Sequence, residues 1–189
     1  MEYLKSKDKK LGHVIDKMGF LEREVNPDVF AALIESIVGQ QISAKAAATV
    51  RGRLAALGSL DAARLAAMSV DDVKACGMSM RKAGYIKNAA HAVMSGDIDL
   101  AALENATDAD VIQTLTKLDG IGVWTAEMLL IFSLGRPNVI SYGDLAIRRG
   151  MMTLYGHKEL DKARFARYAK RYAPYASVAS LYLWELASI

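Results

Sequence analysis

The chain has 189 residues and a mass of 20.5 kDa, with 52% hydrophobic and 24% charged residues, which excludes a disordered or low-complexity protein and allows a core of its own. A single cysteine, Cys76, excludes an intramolecular disulfide and a cysteine-held iron–sulfur cluster. The lysine-bearing start is followed by no apolar run, and the longest strongly apolar stretch, 128–134, is far short of the roughly 20 residues a membrane span needs; the expectation is a soluble intracellular monomer without membrane contact, cytoplasmic or, in a nucleated cell, nuclear.

The apolar spacing is helical almost throughout, and the chain holds 30 alanines. Phe30, Leu33, Ile34, Ile37 and Val38 recur at i, i+3, i+4, i+7 and i+8, and Gly39 ends that run. Ser43 is placed to cap a helix over 44–57 that stops at Gly58. Short helices are expected around 60–68 and 70–76, and another through Tyr85, Ile86, Ala89, Ala90, Val93 and Met94. Thr107 with Asp110 has the form of a capping box, with Asp in place of Glu, ahead of Val111, Ile112 and Leu115. A helix from about Val123 is expected to reach Leu134, with Gly135 and Pro137 as stop signals, and two or three more follow Asp144, including 162–172 and 178–187. No alternating strand or Asn-Gly hairpin is visible. The expected fold is all-α, with about ten short helices.

Two places in this pattern carry chemistry. Leu118-Asp119-Gly120-Ile121-Gly122 separates two helical runs by five residues. Its glycines permit positive φ and close approach of backbone to a ligand, and the following helix presents N–H groups and a positive dipole end that suit phosphate. This is the pattern of a helix-hairpin-helix motif, which grips DNA through phosphates without reading sequence. Asp144 lies 22 residues beyond Gly122, directly before a helical run, where it would serve as an N-cap. From Asp144 to Arg171 there are eight basic residues (Arg148, Arg149, Lys158, Lys162, Arg164, Arg167, Lys170, Arg171) against three acidic ones, the footprint of a surface for a polyanion in a chain whose net charge is +3. His13, His91 and His157 are scattered, so no side-chain metal site is expected.

The run 118–126, then Gly135-Arg136-Pro137, Gly143-Asp144-Leu145-Ala146-Ile147-Arg148-Arg149, Gly39-Gln40-Gln41-Ile42-Ser43 and Tyr182-Leu183-Trp184-Glu185, resembles the helix-hairpin-helix DNA glycosylase superfamily. Within it, the chain is similar to the 3-methyladenine DNA glycosylase II branch, in a short form without that branch's N-terminal β-rich domain. The resemblance implies two lobes, a helical barrel over 27–136 and a second lobe of 1–26 plus 137–189, with the active-site cleft between them. It implies that Asp144 is the catalytic carboxylate, stabilising the positive charge that builds on the sugar as the C1′–N bond breaks. Trp124 and Trp184 match pocket positions, and Tyr142 is a third aromatic candidate for stacking on the extruded base. Gln41, with Gln40 as its rival, would fill the gap the base leaves. Gly120, Ile121, Gly122, Thr125 and Arg148 form the phosphate-binding set, and the hairpin's backbone carbonyls can hold a monovalent cation. Lyase-competent members place a lysine nucleophile where this chain has Trp124, so a hydrolase without lyase activity is implied. The chain departs from the pattern at Ser141, where many members have Pro, at Gly143, where some have a second carboxylate, and at Ala176, where Arg is frequent.

The function expected is hydrolysis of the N-glycosidic bond of alkylated purines (3-methyladenine, 7-methylguanine) in duplex DNA, with no cofactor. The alternatives are a glycosylase for hypoxanthine or an oxidised purine, and a non-catalytic helix-hairpin-helix DNA-binding module; Asp144 speaks against the last, because a phosphate binder gains nothing from a carboxylate beside the backbone.

Overall fold

The computed structural model describes residues 1–58 and 60–188. Among these residues there are twelve α-helices, one 3₁₀ turn at Ala102–Glu104 and no strand. The chain divides into two compact units, Asn26–Leu134 and the pair of segments Met1–Val25 and Gly135–Ile189.

The 26–134 unit is built from α3 (Val29–Gly39), α4 (Ala44–Ala56), α5 (Ala62–Ala67), α6 (Val70–Ala75), α7 (Met80–Met94), α8 (Asp108–Leu115) and α9 (Val123–Phe132). Short polar side chains start most of them. The side chains of Asp28, Ser43, Asp61, Ser69, Ser79 and Thr107 each accept from a backbone N–H in the first turn, satisfying donors that a helix start leaves orphaned. Asp110 closes the Thr107 cap differently from a capping box, because its carboxylate accepts from the Thr107 hydroxyl at 2.7 Å. The core is the apolar face of α3 (Leu33, Ile34, Ile37) with Ile86, Ala90, Val111, Leu115 and Leu130. At the unit's ends the Asn26 N–H donates to the Phe132 carbonyl at 2.8 Å.

The other unit holds α1 (Glu2–Lys7), α2 (Lys9–Met18), α10 (Leu145–Tyr155), α11 (Lys162–Tyr172) and α12 (Ala176–Ala187). Helices α10 and α12 pack at very short range, and Gly150 is the reason: a Cβ there would stand 1.9 Å from the Leu183 carbonyl oxygen. The first two helices are absent from the sequence reading, which accounts for twelve helices where about ten were expected. The second of them does carry helical spacing, Leu11, Val14, Ile15 and Met18 at i, i+3, i+4 and i+7, with Leu11 and Ile15 buried and Val14 and Met18 packed beside them; the first buries only Leu4. Asp8 joins them as N-cap of α2 and fixes them to the rest of the unit. Its Oδ1 accepts from the Lys10 and Leu11 N–H groups, and its Oδ2 accepts from the Tyr155 hydroxyl at 2.5 Å and Arg171 Nη1 at 3.1 Å. Tyr155 also meets the Tyr172 hydroxyl at 2.8 Å and stacks on Tyr168 with centroids 3.7 Å apart.

Candidate active site

The connection between α8 and α9 runs over 116–122, seven residues where five were expected, because α8 closes early at Leu115. Leu118 and Ile121 are buried and anchor it, and the Ile121 N–H donates to the Leu118 carbonyl at 3.1 Å. Gly120 has φ +80°, and a Cβ on it would stand 2.3 Å from the ring of Tyr85, so both backbone conformation and space demand glycine. Gly122 differs from the expectation of positive φ. It is extended, at φ −94° and ψ 173°, and is the N-cap of α9; a Cβ there would meet nothing within 4 Å. Its contribution is open space before a helix start that no side chain caps. Ile121 and Thr125 are both buried; the Ile121 N–H is committed to Leu118, so of the two it is Thr125, third in α9, that offers a backbone N–H to a phosphate. Helix α9 ends at Phe132, two residues before the expected Leu134.

Asp144 is the N-cap of α10, with Oδ1 accepting from the Ile147 N–H at 2.9 Å, and is only 7% exposed. The segment that delivers it is pinned to α12. The Ser177 hydroxyl accepts from the Val139 N–H at 2.9 Å and donates to the Arg136 carbonyl at 2.6 Å, while the Ser177 N–H donates to the Pro137 carbonyl at 3.0 Å. These contacts lie about forty residues apart in sequence, so periodicity offers no sign of them. Ser141 and Ala176 are buried, and the Ser141 hydroxyl lacks a hydrogen-bond partner. Gly143 is exposed.

One turn into α10, the Arg148 guanidinium lies over the Tyr142 ring, Cζ to centroid 5.2 Å, with its Nε buried and unpartnered. Tyr142 in turn rests edge-on against Phe165 at 5.2 Å. The ring is partly buried between these two neighbours. Trp184 is half-buried against the same core. Of the remaining basic segment, Arg171 turns onto Asp8, whereas Arg149, Lys158, Lys162, Arg167 and Lys170 are exposed.

In the 26–134 unit, Trp124 is 48% exposed and lines a cavity of about 480 Å³ together with Ser36, Gly39, Gln40, Gln41, Thr125 and Met128. That volume falls within the range of small-molecule pockets. The structure thus brings together Trp124, both glutamines and the hairpin residue Thr125, while Asp144, Tyr142, Arg148 and Trp184 belong to the other unit. The two glutamines differ. Gln40 is committed, its Nε2 donating to the Gly120 carbonyl at 2.8 Å; Gln41 is exposed and left-handed, at φ +57°. Sequence reasoning missed the residues that hold this region, Lys82 and Tyr85 of α7, whose contacts reach across forty residues or about thirty-five. Among the described residues no three His, Cys, Asp or Glu side chains gather as a metal site, and no helix is long and apolar enough to cross a membrane.

Residues 34–174 match the HhH-GPD superfamily base excision DNA repair protein. The DNA-3-methyladenine glycosylase 1 of Schizosaccharomyces pombe is 31% identical over 166 residues, covering 85% of this chain and 73% of its own length. The DNA-3-methyladenine glycosylase 2 of Escherichia coli is 28% identical over 169 residues, covering 83% of this chain and 57% of its own length. Among solved structures, a DNA-3-methyladenine glycosidase from Bacillus halodurans superposes with a TM-score of 0.89 at 39% identity, covering 98% of this chain and 88% of that one. The S. pombe 3-methyladenine DNA glycosylase in complex with abasic DNA superposes with a TM-score of 0.85 at 29% identity, covering 99% and 95%. The chain belongs to the HhH-GPD superfamily of base excision DNA repair proteins.

Proposed function

We propose that this protein is a DNA glycosylase that hydrolyses the N-glycosidic bond of alkylated purines in duplex DNA, acting as a monomer and without lyase activity. The observation that carries the reading is Asp144, a carboxylate held by the Ile147 N–H at the start of α10, in a chain whose relatives bear the name DNA-3-methyladenine glycosylase. An alkylated purine is already cationic, so it departs as a neutral base without taking up a proton. Heterolysis leaves positive charge at C1′. The Asp144 carboxylate stabilises that charge, and water adds to C1′ while its proton passes to the carboxylate or to solvent. The products are the free base and an abasic site. Trp124, half exposed on its cavity, offers a π face to the cationic base, and Trp184 is the second aromatic in this role. The N–H groups at the start of α9, with Gly122 leaving room, address phosphate, and Arg148 adds charge.

Tryptophan supplies no amine to attack the sugar, which supports hydrolysis without strand cleavage. A monovalent cation on the hairpin carbonyls belongs to the same proposal, with the carbonyls of Leu118 and Gly120 already accepting from Ile121 and Gln40. The test is to incubate duplex DNA methylated at adenine N3 and guanine N7 with the protein, identify the released bases, and repeat with borohydride. Release of 3-methyladenine with no trapped adduct is expected. No release of either methylated base, with release instead from a parallel duplex carrying hypoxanthine or an oxidised purine, or a trapped adduct, overturns the reading.

A further inference from the structure

Gln41 is the one non-glycine residue among those described whose backbone is left-handed. Such a conformation is strained for a residue with a Cβ and persists only where its surroundings over-determine it. The surroundings are specific. Lys82 Nζ donates to the carbonyls of Val38, at 2.9 Å, and Gln40, so one ammonium holds the chain on the approach to Gln41. Burial, followed by the neighbouring Arg81 charge, pushes that ammonium below its ordinary pKa. The Gln40 side chain crosses to the hairpin and donates to the Gly120 carbonyl at 2.8 Å. Gly120 is pressed against Tyr85. Lys82 and Tyr85 stand three apart on α7 and so share a face of that helix, one serving each loop.

We propose that Gln40 and Lys82 are positioning residues that couple the hairpin to the turn carrying Gln41, so that gripping the phosphates sets the height and direction at which Gln41 enters the duplex. The inference rests on the proposed reading in which the hairpin grips DNA and Gln41 fills the gap left by an extruded base. It assigns the two glutamines separate tasks: Gln41 enters the DNA, and Gln40 measures its distance from the hairpin. It also gives Lys82 a task in recognition although no part of the proposal has it touch DNA.

The test uses the full chain and two duplexes, one undamaged and one containing a tetrahydrofuran abasic-site analogue, so that it does not depend on base release. The wild type is expected to prefer the abasic duplex. Gln40→Ala should cut that preference about fivefold, the fold-change of one net hydrogen bond, with affinity for undamaged duplex changed less than twofold. Lys82→Met should do the same, and Lys82→Arg, which still reaches two carbonyls, should restore it. Gln40→Ala made in a Gln41→Ala background should cost nothing further, since a coupling residue has nothing left to position. An unchanged preference in Gln40→Ala, additive losses in the double variant, or equal losses on both duplexes would overturn the coupling. If thermal melting shows that Lys82→Met does not fold, Gln40→Ala and the double variant still decide it. A wild type that prefers the abasic duplex but releases no alkylated purine refutes the proposed substrate and leaves the coupling standing; a wild type without the preference refutes the coupling itself.

Discussion

Asp144 is a helix cap and, in the proposed function, also the reaction-site charge, and a pair of substitutions separates the two roles. Asn retains a side-chain oxygen that can accept from the Ile147 N–H across the present 2.9 Å, and Asn and Asp are equally good N-caps. Asp144→Asn therefore keeps the cap and gives up the charge–dipole attraction at the start of α10, about 0.3–1 kcal/mol. Its chemistry should suffer far more, because removing one electrostatic stabiliser typically costs ~10²–10³-fold in rate, or ~2.7–4 kcal/mol of barrier. Asp144→Ala should lose the same rate and also the cap, about 1 kcal/mol, which for a chain of this length lowers Tm by roughly 2–4 °C. The assay is single-turnover release of methylated purines beside thermal melting and duplex binding for both variants. Base release by Asp144→Asn at the wild-type rate would refute the reasoning and leave Asp144 as a cap alone. Equal melting losses in the two variants would refute the separation of roles.

Gly150→Ala sets a methyl 1.9 Å from the Leu183 carbonyl oxygen, where backbone must move; a loss of about 3 kcal/mol, or roughly 6–12 °C in Tm, is expected in thermal melting, and an unchanged Tm would mean that α10 and α12 slide apart freely. Burial pushes the Asp8 carboxyl up, but hydrogen bonds from Tyr155, the Leu11 N–H and Arg171, with the Arg171 charge, outweigh it and hold the group below the ordinary carboxylate value. Its stabilisation is therefore present above the unfolded pKa of ~3.9 and lost as pH falls through the lower folded value. Asp8→Asn should be destabilised by about 1–3 kcal/mol at neutral pH, and denaturant titrations should show the gap to wild type closing only below about pH 4. Trp124→Ala removes a ring that is about half buried, so stability in thermal melting should fall by only part of the ~3–5 kcal/mol of a fully buried Trp, while excision of cationic purines falls by a further ~1–3 kcal/mol of one stacked base; a neutral lesion falling by the same factor would show that stacking, not charge, selects.

Much of the local architecture is legible in the residue order. The cap at Ser43, the start of α8 at Thr107 and the helix beginning after Asp144 follow from side chains that bond within three residues of themselves, and Gly120 announces a left-handed turn because nothing else fits there. The second N-terminal helix is within reach of a spacing argument through Leu11, Val14, Ile15 and Met18, but the role of Asp8 is hidden, because it depends on Tyr155 and Arg171, some 150 residues away. The same holds at the site. Asp144, Trp124 and Gln41 stand out as candidates through the family resemblance, but the side chains that fix the chain around them are ordinary Ser, Lys and Tyr, whose significance appears only once the chain has folded.

The cavity beside Trp124 shows why the division falls there. A residue that meets a ligand must have particular chemistry, so its type narrows its role: a carboxylate near a developing cation, an aromatic face near a charged base. A residue that positions another needs only a donor or acceptor at the right point, and many types supply one. Lys82 is a surface cation by composition, yet it spends its ammonium on two carbonyls at the end of α3. Gln40 and Gln41 are identical by composition, and the chain separates them through a single positive φ and a single hydrogen bond to Gly120. The different tasks proposed for them rest on backbone geometry, which places one side chain against the hairpin and leaves its neighbour exposed.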